Sequence, residues 1–545
     1  MTRSKLVSVP MGFHPDEIGS ISLILNFLPR HRPGAAAMAS PPPAPGRFAF
    51  MEEIFACIPT QPLPSPAAAA AATCSDGGVA DDGEDRISRL ADALLSDIVS
   101  RLPAKDAART AALSPRWRRV WASTPLVLDD AHLLPPEDQP EDGSRRSGTN
   151  WRAIAGAVSR VLTAHPGPFR SVHLTHVCNY AALHDGGALA RDWLRIAADK
   201  GVDDLVLVCR PWPFEADLPA EILRVASLRR LYLGLWDDFT GSTKALRGGG
   251  VLFPRLLELG LCRTDFESKE IDRLLQCSPL LEKLALVAFP NSPSSVRVRS
   301  RTLRCVLFWM SVAEEVDVRV APRLERLILW SECPGAHFAD DFRTRLNIGY
   351  VQELKVLGYL DLRLHALEIS NTVIEAGTKP SPYTTVPSVK ILALKVRFGV
   401  RKEAKMLPSY LRCFPNVVAL HIMSDKADEP TGKLNFKFWQ ETGPIRCLQS
   451  QIKRVVFKNF RGNRSELAFL RFIWERAQML HKMVIVLADG DDPASMEQMV
   501  AKLKPVASAR RASKDRKLTI LVRNGGCAWS FNRASDLSVS DPFDC

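Results

Sequence analysis

The chain has 545 residues, 46% of them hydrophobic, and a formal net charge of +12. That length exceeds one compact core, so several domains or an elongated repeat array are expected. No run approaches the ~20 apolar residues of a membrane helix and the start lacks a signal-peptide layout, so the chain is expected in the cytoplasm, the nucleus or both.

The positive charge is spread along the sequence. Its densest basic run, Lys502 to Lys517, lacks the interleaved aromatics of a single-strand binder and matches no DNA-reading module. It reads as a solvated face, and nucleic acid is not an expected partner. The twelve cysteines are scattered and form no C-x-x-C pair, which excludes a zinc module or disulfide framework of ordinary spacing. Those in apolar runs, such as Cys209 and Cys305, are expected as small buried hydrophobes.

Residues 1–84 contain Pro41-Pro42-Pro43, an alanine run at Ala67–Ala72 and an acidic Gly-rich piece at Asp76–Glu84. They offer little apolar surface against chain entropy, so a disordered extension is expected. Met38 and Met51 lie within it as alternative starts.

Residues 85–130 differ. Ile87, Leu90, Leu94, Leu95 and Ile98 fall at helical spacing and predict one apolar face. Asp85 and Ser88 are candidate caps. Pro103 ends the helix by biasing Leu102 away from helical geometry. A second helix is predicted from Lys105-Asp106, with Ala107, Ala108, Ala111 and Leu113 apolar. A third opens at Ser114-Pro115, proline suiting the first helical position. It gathers Trp117, Val120 and Trp121 and leaves Arg116, Arg118 and Arg119 polar. A bundle of about 45 residues has a marginal core and gains from burial against a partner. A docking element is therefore expected.

This segment resembles the F-box. The resemblance is carried by Leu90, Asp92, Leu94, Leu95, Ile98, Ser100, Leu102, Pro103, Lys105, Ala107, Thr110, Leu113, Ser114, Arg116, Trp117, Arg118, Val120 and Trp121. Ala91 departs from it, standing where the family usually has proline. The resemblance implies a Skp-type adaptor as partner and, through it, a cullin. The expected adaptor-binding residues are Leu90, Leu94, Leu95, Ile98, Leu102, Pro103, Leu113, Trp117 and Trp121. Some of these must hold the helices together, and the sequence leaves open which face outward.

A linker rich in Pro, Glu and Gly is expected at 131–150, followed by an amphipathic helix from Trp151 to Leu162. Apolar triplets then recur through residue 430: Phe169-Val172-Leu174, Val202-Leu205-Leu207, Leu228-Leu231-Leu233, Leu256-Leu259-Leu261 and Leu281-Leu284-Leu286. They continue as Leu303-Val306-Phe308, Leu324-Leu327-Leu329, Val351-Leu354-Val356, Leu364-Leu367-Ile369, Val389-Leu392-Leu394 and Val417-Leu420-Ile422. Steps run from 21 to 33 residues, with one of 13 before Leu364. The last two positions alternate as in a strand with one buried face. No unit buries its own apolar side, so neighbours stack into a solenoid. Ile271–Cys277 and Trp193–Ala198 read as helical returns.

The expected fold class is α/β: a small helical F-box, an irregular leucine-rich-repeat solenoid over 151–430 with a parallel sheet and helical or irregular returns, and an α/β cap over 431–525. A conventional α/β sheet is the alternative. The repeats resemble the degenerate leucine-rich repeats of plant-type F-box proteins. The 431–525 region is similar to the FBD region of such proteins, on Cys447-Leu448, Lys453, Val455, Phe460, Gly462, Arg464, Glu466 and Phe469. Its strand–turn–helix–strand pattern is expected to close the solenoid and hide its edge. Gly462 suits the turn and Asn463–Glu466 the helix cap. Residues 526–545 are expected as a tail.

No nucleophile elbow, HExxH, Walker loop or dinucleotide fingerprint is present. His173, His176 and Cys178 lie close in sequence, but on a strand His173 would point away from the other two. No metal or cofactor is expected. Gly248-Gly249-Gly250 reads as a loop, and Asp237-Asp238 and Asp340-Asp341 as solvated turns. The chain is thus expected to be a non-enzymatic substrate-recognition subunit of a Skp–cullin–F-box ubiquitin ligase, whose target the sequence does not mark. The rivals are an adaptor-binding scaffold outside any ligase and a basic nucleic-acid-associated repeat protein.

Overall fold

The computed structural model describes residues 21–24, 45–63, 87, 89–134, 150–209, 216–236, 250–264, 268–289, 295–331, 342–379, 381–427, 430–432, 434–488, 493–509, 517–521 and 529–544. Asp85, Ser88, Gly248-Gly249 and both acidic pairs lie outside them, as do most of the expected extension and linker. Two compact units divide the chain. One is Gly46–Pro293; the other is Ser294–Cys545 together with Met1–Pro45. Strands are numbered in chain order from β1 (Ile21–Ile24).

The first unit opens with α1 (Pro45–Phe55), α2 (Asp92–Val99), α3 (Ala104–Thr110) and α4 (Pro115–Ser123). Then come β2 (Leu126–Asp129), α5 (Trp151–Ala164), β3 (Phe169–Leu174), α6 (Cys178–Leu183), α7 (Ala188–Asp199) and β4 (Asp204–Val208). It closes with β5 (Arg230–Gly234), β6 (Glu258–Cys262), α8 (Ser268–Gln276) and β7 (Lys283–Val287). Strands β2 to β7 pair in sequence order, all parallel. Their register stacks Leu205, Leu231, Leu259 and Leu284 into one column. The triplets thus lie side by side, as a solenoid requires. The expected helical returns are α7 and α8; Trp193, Leu194, Leu205 and Leu207 line one small internal cavity.

The second unit has two sheets. The larger consists of β9 (Cys305–Trp309), β11 (Arg326–Trp330), β13 (Val356–Asp361), β16 (Ile391–Val396), β17 (Ala419–Ser424), β18 (Arg454–Phe460), β19 (Lys482–Leu487) and β20 (Lys517–Leu521), which form one parallel ladder. The smaller holds β8 (Ser295–Arg299), β10 (Glu315–Val320), β12 (Thr344–Tyr350) and β14 (His365–Ile369) in parallel, with β15 (Thr372–Val373) antiparallel at its edge. Helices α9 (Arg401–Cys413), α10 (Phe436–Glu441), α11 (Arg446–Ser450), α12 (Arg464–Arg476), α13 (Pro493–Ala507) and α14 (Phe531–Ser535) complete it.

Several expectations change. Between β9 and β13 the returns are strands, because those stretches alternate with period two, as they do in β8, where buried Val296 and Val298 alternate with exposed Arg297 and Arg299. The short step at Leu364 has the same cause, since Leu367 and Ile369 lie in β14 of the smaller sheet and Leu364 just precedes it. Val351-Leu354-Val356 is out of register. The ladder aligns Leu327 with Leu357, and a register shift between Leu357 and Leu360 breaks the usual two-residue spacing. The 431–525 region does not close the ladder but extends it through β18, β19 and β20, with β1 on the β20 edge. The two compact units meet at 293/294, within the repeats.

The expected disordered extension and the expected tail both contain regular structure. Within 1–84, α1 is followed by buried Cys57 and Ile58. Within 526–545, residues 529–544 form α14 and turns, with Phe531, Ala534 and Phe543 buried.

Candidate functional site

The helical segment is built around α2 and α4. Ser114 accepts from the Trp117 amide at 3.3 Å, with Pro115 at the first helical position, so the third helix starts where the sequence predicts. Helix α2 starts at Asp92, later than the Ile87 spacing suggests, because Leu90 N–H bonds back to Ile87 in a separate turn. Its apolar residues divide by direction. Leu95 and Val99 are fully buried, whereas Leu94 and Ile98, one turn apart on a shared face, are 51% and 40% exposed. Leu113 is 66% exposed. Trp117 and Val120 are buried, and Leu90, Leu102, Pro103 and Trp121 are half-buried.

The nine residues expected at an adaptor surface therefore separate. Leu94, Ile98 and Leu113 face outward, Leu95 and Trp117 hold the bundle, and the other four lie between. Arg116, expected on the polar side, also fastens α4 to the start of α2. Its guanidinium pairs with Asp92 at 2.6 Å and donates to the Leu90 carbonyl.

The bundle is tied to the first repeats by named contacts. β2 pairs with β3. Arg170 on β3 donates to the Ser100 carbonyl at 3.0 Å, and the His165 ring bonds the Thr124 carbonyl at 3.0 Å. Asp130, fully buried just after β2, accepts from the amides of Thr175, His176 and Val177. Burial alone would raise its carboxyl pKa. The His176 hydrogen bond and charge and the backbone amides outweigh that and hold it below the ordinary carboxylate range. The expected linker thus begins with an ordered turn, Asp130–Leu133, and a buried Leu134.

The side of the sheet opposite the leucine columns carries polar residues in this unit. Asp204 accepts from Ser171 Oγ at 2.8 Å and from Arg230 Nε at 2.7 Å and Nη2 at 2.6 Å; His173 Nε2 lies 3.1 Å away. Burial opposes its ionised form, but His173 and Arg230 together hold the carboxyl far below its usual range. The N-terminal segment lies on this network: Leu63 N–H donates to Asp204 and Arg230 donates to the Gln61 carbonyl.

The three-residue cluster considered for metal binding is dispersed. His173 engages Asp204 and His176 engages Asp130. Cys178 opens α6 rather than continuing the strand. Among the described residues no group of three or more His, Cys, Asp and Glu could hold a metal ion. The described cysteines are buried, and burial pushes the Cys262 thiol up to about 12, the behaviour of an inert hydrophobe. No described helix is long and apolar enough to cross a membrane.

In the C-terminal region Gly462 takes φ +71° at the turn after β18. Glu466 Oε2 accepts from the Asn463 and Arg461 amides, and its Oε1 accepts from Ser424 Oγ at 2.5 Å. The predicted cap thereby also ties the end of β18 to that of β17.

A small helical bundle followed by stacked parallel strands with helical returns is the architecture of a leucine-rich-repeat protein. Three family profiles match it: an F-box domain at 87–128, the repeats of an FBD-associated F-box protein ("FBD-associated F-box protein At5g56370, LRR repeats") at 190–422, and FBD at 440–485. A putative F-box/FBD/LRR-repeat protein of Arabidopsis thaliana is 22% identical over 463 residues, covering 79% of this chain and 98% of the relative. An FBD-associated F-box protein of the same plant is 25% identical over 458 residues, covering 75% and 93%. An F-box protein from it is 31% identical over 229 residues, covering 40% and 48%. The chain belongs to the F-box/FBD/LRR-repeat proteins. These are adaptor proteins, generally non-catalytic, and an F-box implies binding to a Skp-type adaptor.

Proposed function

We propose that this chain is the substrate-recognition subunit of a Skp–cullin–F-box ubiquitin ligase. The F-box holds the Skp-type adaptor and through it a cullin, while the repeats hold a target protein. Tethering raises the effective concentration of target lysines near a separately recruited ubiquitin-charged enzyme, so no nucleophile is required of this chain. The observation that carries the reading is the exposure of Leu94, Ile98 and Leu113 on a bundle whose Leu95, Val99, Trp117 and Val120 are turned inward. An exposed aliphatic pair one turn apart is the anchor pattern of a helix docked in a groove.

The test is adaptor capture by the full chain carrying Leu94→Asp and Ile98→Asp. Exposed substitutions change stability by about 0.5 kcal/mol or less. Losing two central anchors costs about 4 kcal/mol, roughly a thousandfold in affinity. Capture should therefore vanish with the melting temperature kept. Undiminished capture by the folded double variant overturns the reading. Adaptor captured from cells without cullin favours a scaffold outside any ligase.

A further inference from the structure

The C-terminal segment 529–544 is bound to its own sheet as a ligand would be. None of its residues joins the ladder; they form α14 and turns across strand side chains of the second unit. Trp309, Trp330 and Tyr359, from three neighbouring strands of that unit, surround Trp529 with ring centroids 5.3 to 5.6 Å away. Phe543 has no exposed surface. It stacks on Trp529 at 5.0 Å and meets Tyr359 edge-on at 4.9 Å.

The polar contacts are those of peptide recognition. Arg326 Nη1 donates to the carbonyls of Ala534 and Asp536 at 2.7 and 2.9 Å, and Nη2 to that of Val539 at 2.6 Å. Lys458 Nζ donates to the Phe543 carbonyl at 2.9 Å. His421 Nε2 lies 2.9 Å from Asp541 Oδ2, and Arg454 pairs with Asp544. A basic floor thus meets an acidic, aromatic segment. Arg326, His421 and Lys458 are all buried beneath it. Cations such as Arg326 and Lys458 at inward positions of a sheet are poor core residues, because each must be compensated. They suit a surface that reads backbone carbonyls and carboxylates.

The segment also braces itself. Arg533 donates to the carbonyls of Asp541 and Pro542, and the Phe543 amide donates to the Asp541 carboxylate. Phe543 is thereby presented between two aspartates.

We infer that this groove is a peptide-binding site which the chain fills with its own residues 529–544. Its external ligand is a protein segment presenting phenylalanine between acidic residues, Asp-x-Phe-Asp, as Asp541 to Asp544 do. This rests on the target-recruiting reading above and gives that target a chemistry. It also makes target binding a competition with an intramolecular ligand, whose high effective concentration keeps the groove closed to weak peptides.

The test uses the full chain with a protease site placed within residues 522–528, so that cutting leaves the segment held only by non-covalent contacts. A fluorescent synthetic peptide of residues 529–544 is the probe. The cut chain should take up the probe, and the uncut chain about tenfold less or worse. The same peptide with Phe543→Ala should bind about tenfold more weakly. A peptide of unrelated sequence carrying Asp-x-Phe-Asp should compete, and Lys458→Glu in the cut chain should reduce uptake. A cut chain that takes up no probe overturns the inference, as does one whose cooperative melting disappears with the segment. Uncut full chain with Phe543→Ala provides a second reading: probe uptake by this folded variant supports the inference, and its failure to take up probe contradicts it. Adaptor capture on the same preparations should be unchanged, so failure here is separable from failure of the ligase reading.

Discussion

The F-box and the repeat sheet treat apolar surface in opposite ways. On α2, Leu94 and Ile98 stand bare. On the sheet of the second unit, Trp309 and Tyr359 are buried under residues 529–544. Size explains part of this. A three-helix bundle has two faces for each helix and too little chain to cover both. A solenoid offers a broad face that the chain's own ends can reach. In the first unit residues 45–63 approach the Asp204–Arg230 network in the same manner. In the two readings proposed above, exposure marks the adaptor surface, whereas on the repeats a binding surface is marked by what the chain lays over it.

Substitution experiments separate the residues that hold the fold from those that dock. The largest effect is expected for Trp117→Ala, which empties the centre of the bundle and should cost about 3–5 kcal/mol, read as early loss of helical structure on heating. It would also abolish adaptor capture, but only through the fold.

Next is Arg230→Met, which leaves Asp204 buried without its bidentate partner; removing one member of such a pair costs about 3–5 kcal/mol at most sites, here reduced because His173 and Ser171 remain. The same pair sets a pH response. The Asp204 carboxyl is lower in the fold than in the unfolded chain. Its contribution is therefore complete above the unfolded value of about 3.9 and is lost as pH falls towards the folded one. Urea unfolding followed from pH 6 to 2.5 should show stability falling with acid in the parent chain and falling less in Asp204→Asn. Equal slopes would show that Asp204 sets no part of the acid response.

Gly462→Ala should cost about 1 kcal/mol, since φ is positive there and the new Cβ would meet Met499 Sδ at 2.8 Å and Lys502 Cδ at 2.9 Å; both atoms lie far out on flexible side chains, which limits the penalty. The smallest effect is on stability in Leu113→Ser, within about 0.5 kcal/mol, together with measurably weaker adaptor capture.

Legibility followed the range of the interactions. The leucine columns β3 to β7, the Ser114-Pro115 helix start and the Gly462 turn are local patterns, and each stands where the sequence places it. Period-two alternation in Ser295–Arg299 is equally local, and it identifies the strand returns once strands rather than helices are sought there. The slip at Val351 arose because an irregular register after Leu357 spoils the spacing that defines a triplet. Which half of the α2 stripe turns inward was not readable, because α4, beyond the intervening α3, decides it. Least legible were residues 45–63 and 529–544. Phe543, for one, finds its partners on Tyr359 and His421, in strands far from it in sequence.

If this chain meets its adaptor through the exposed face of the F-box, amide hydrogen exchange on the full chain should show it when a Skp-type adaptor is added. Added protection is expected only in residues 87–123, strongest along α2 and around Leu113, with none in residues 529–544. Protection on the repeat strands with an unchanged F-box would contradict that reading.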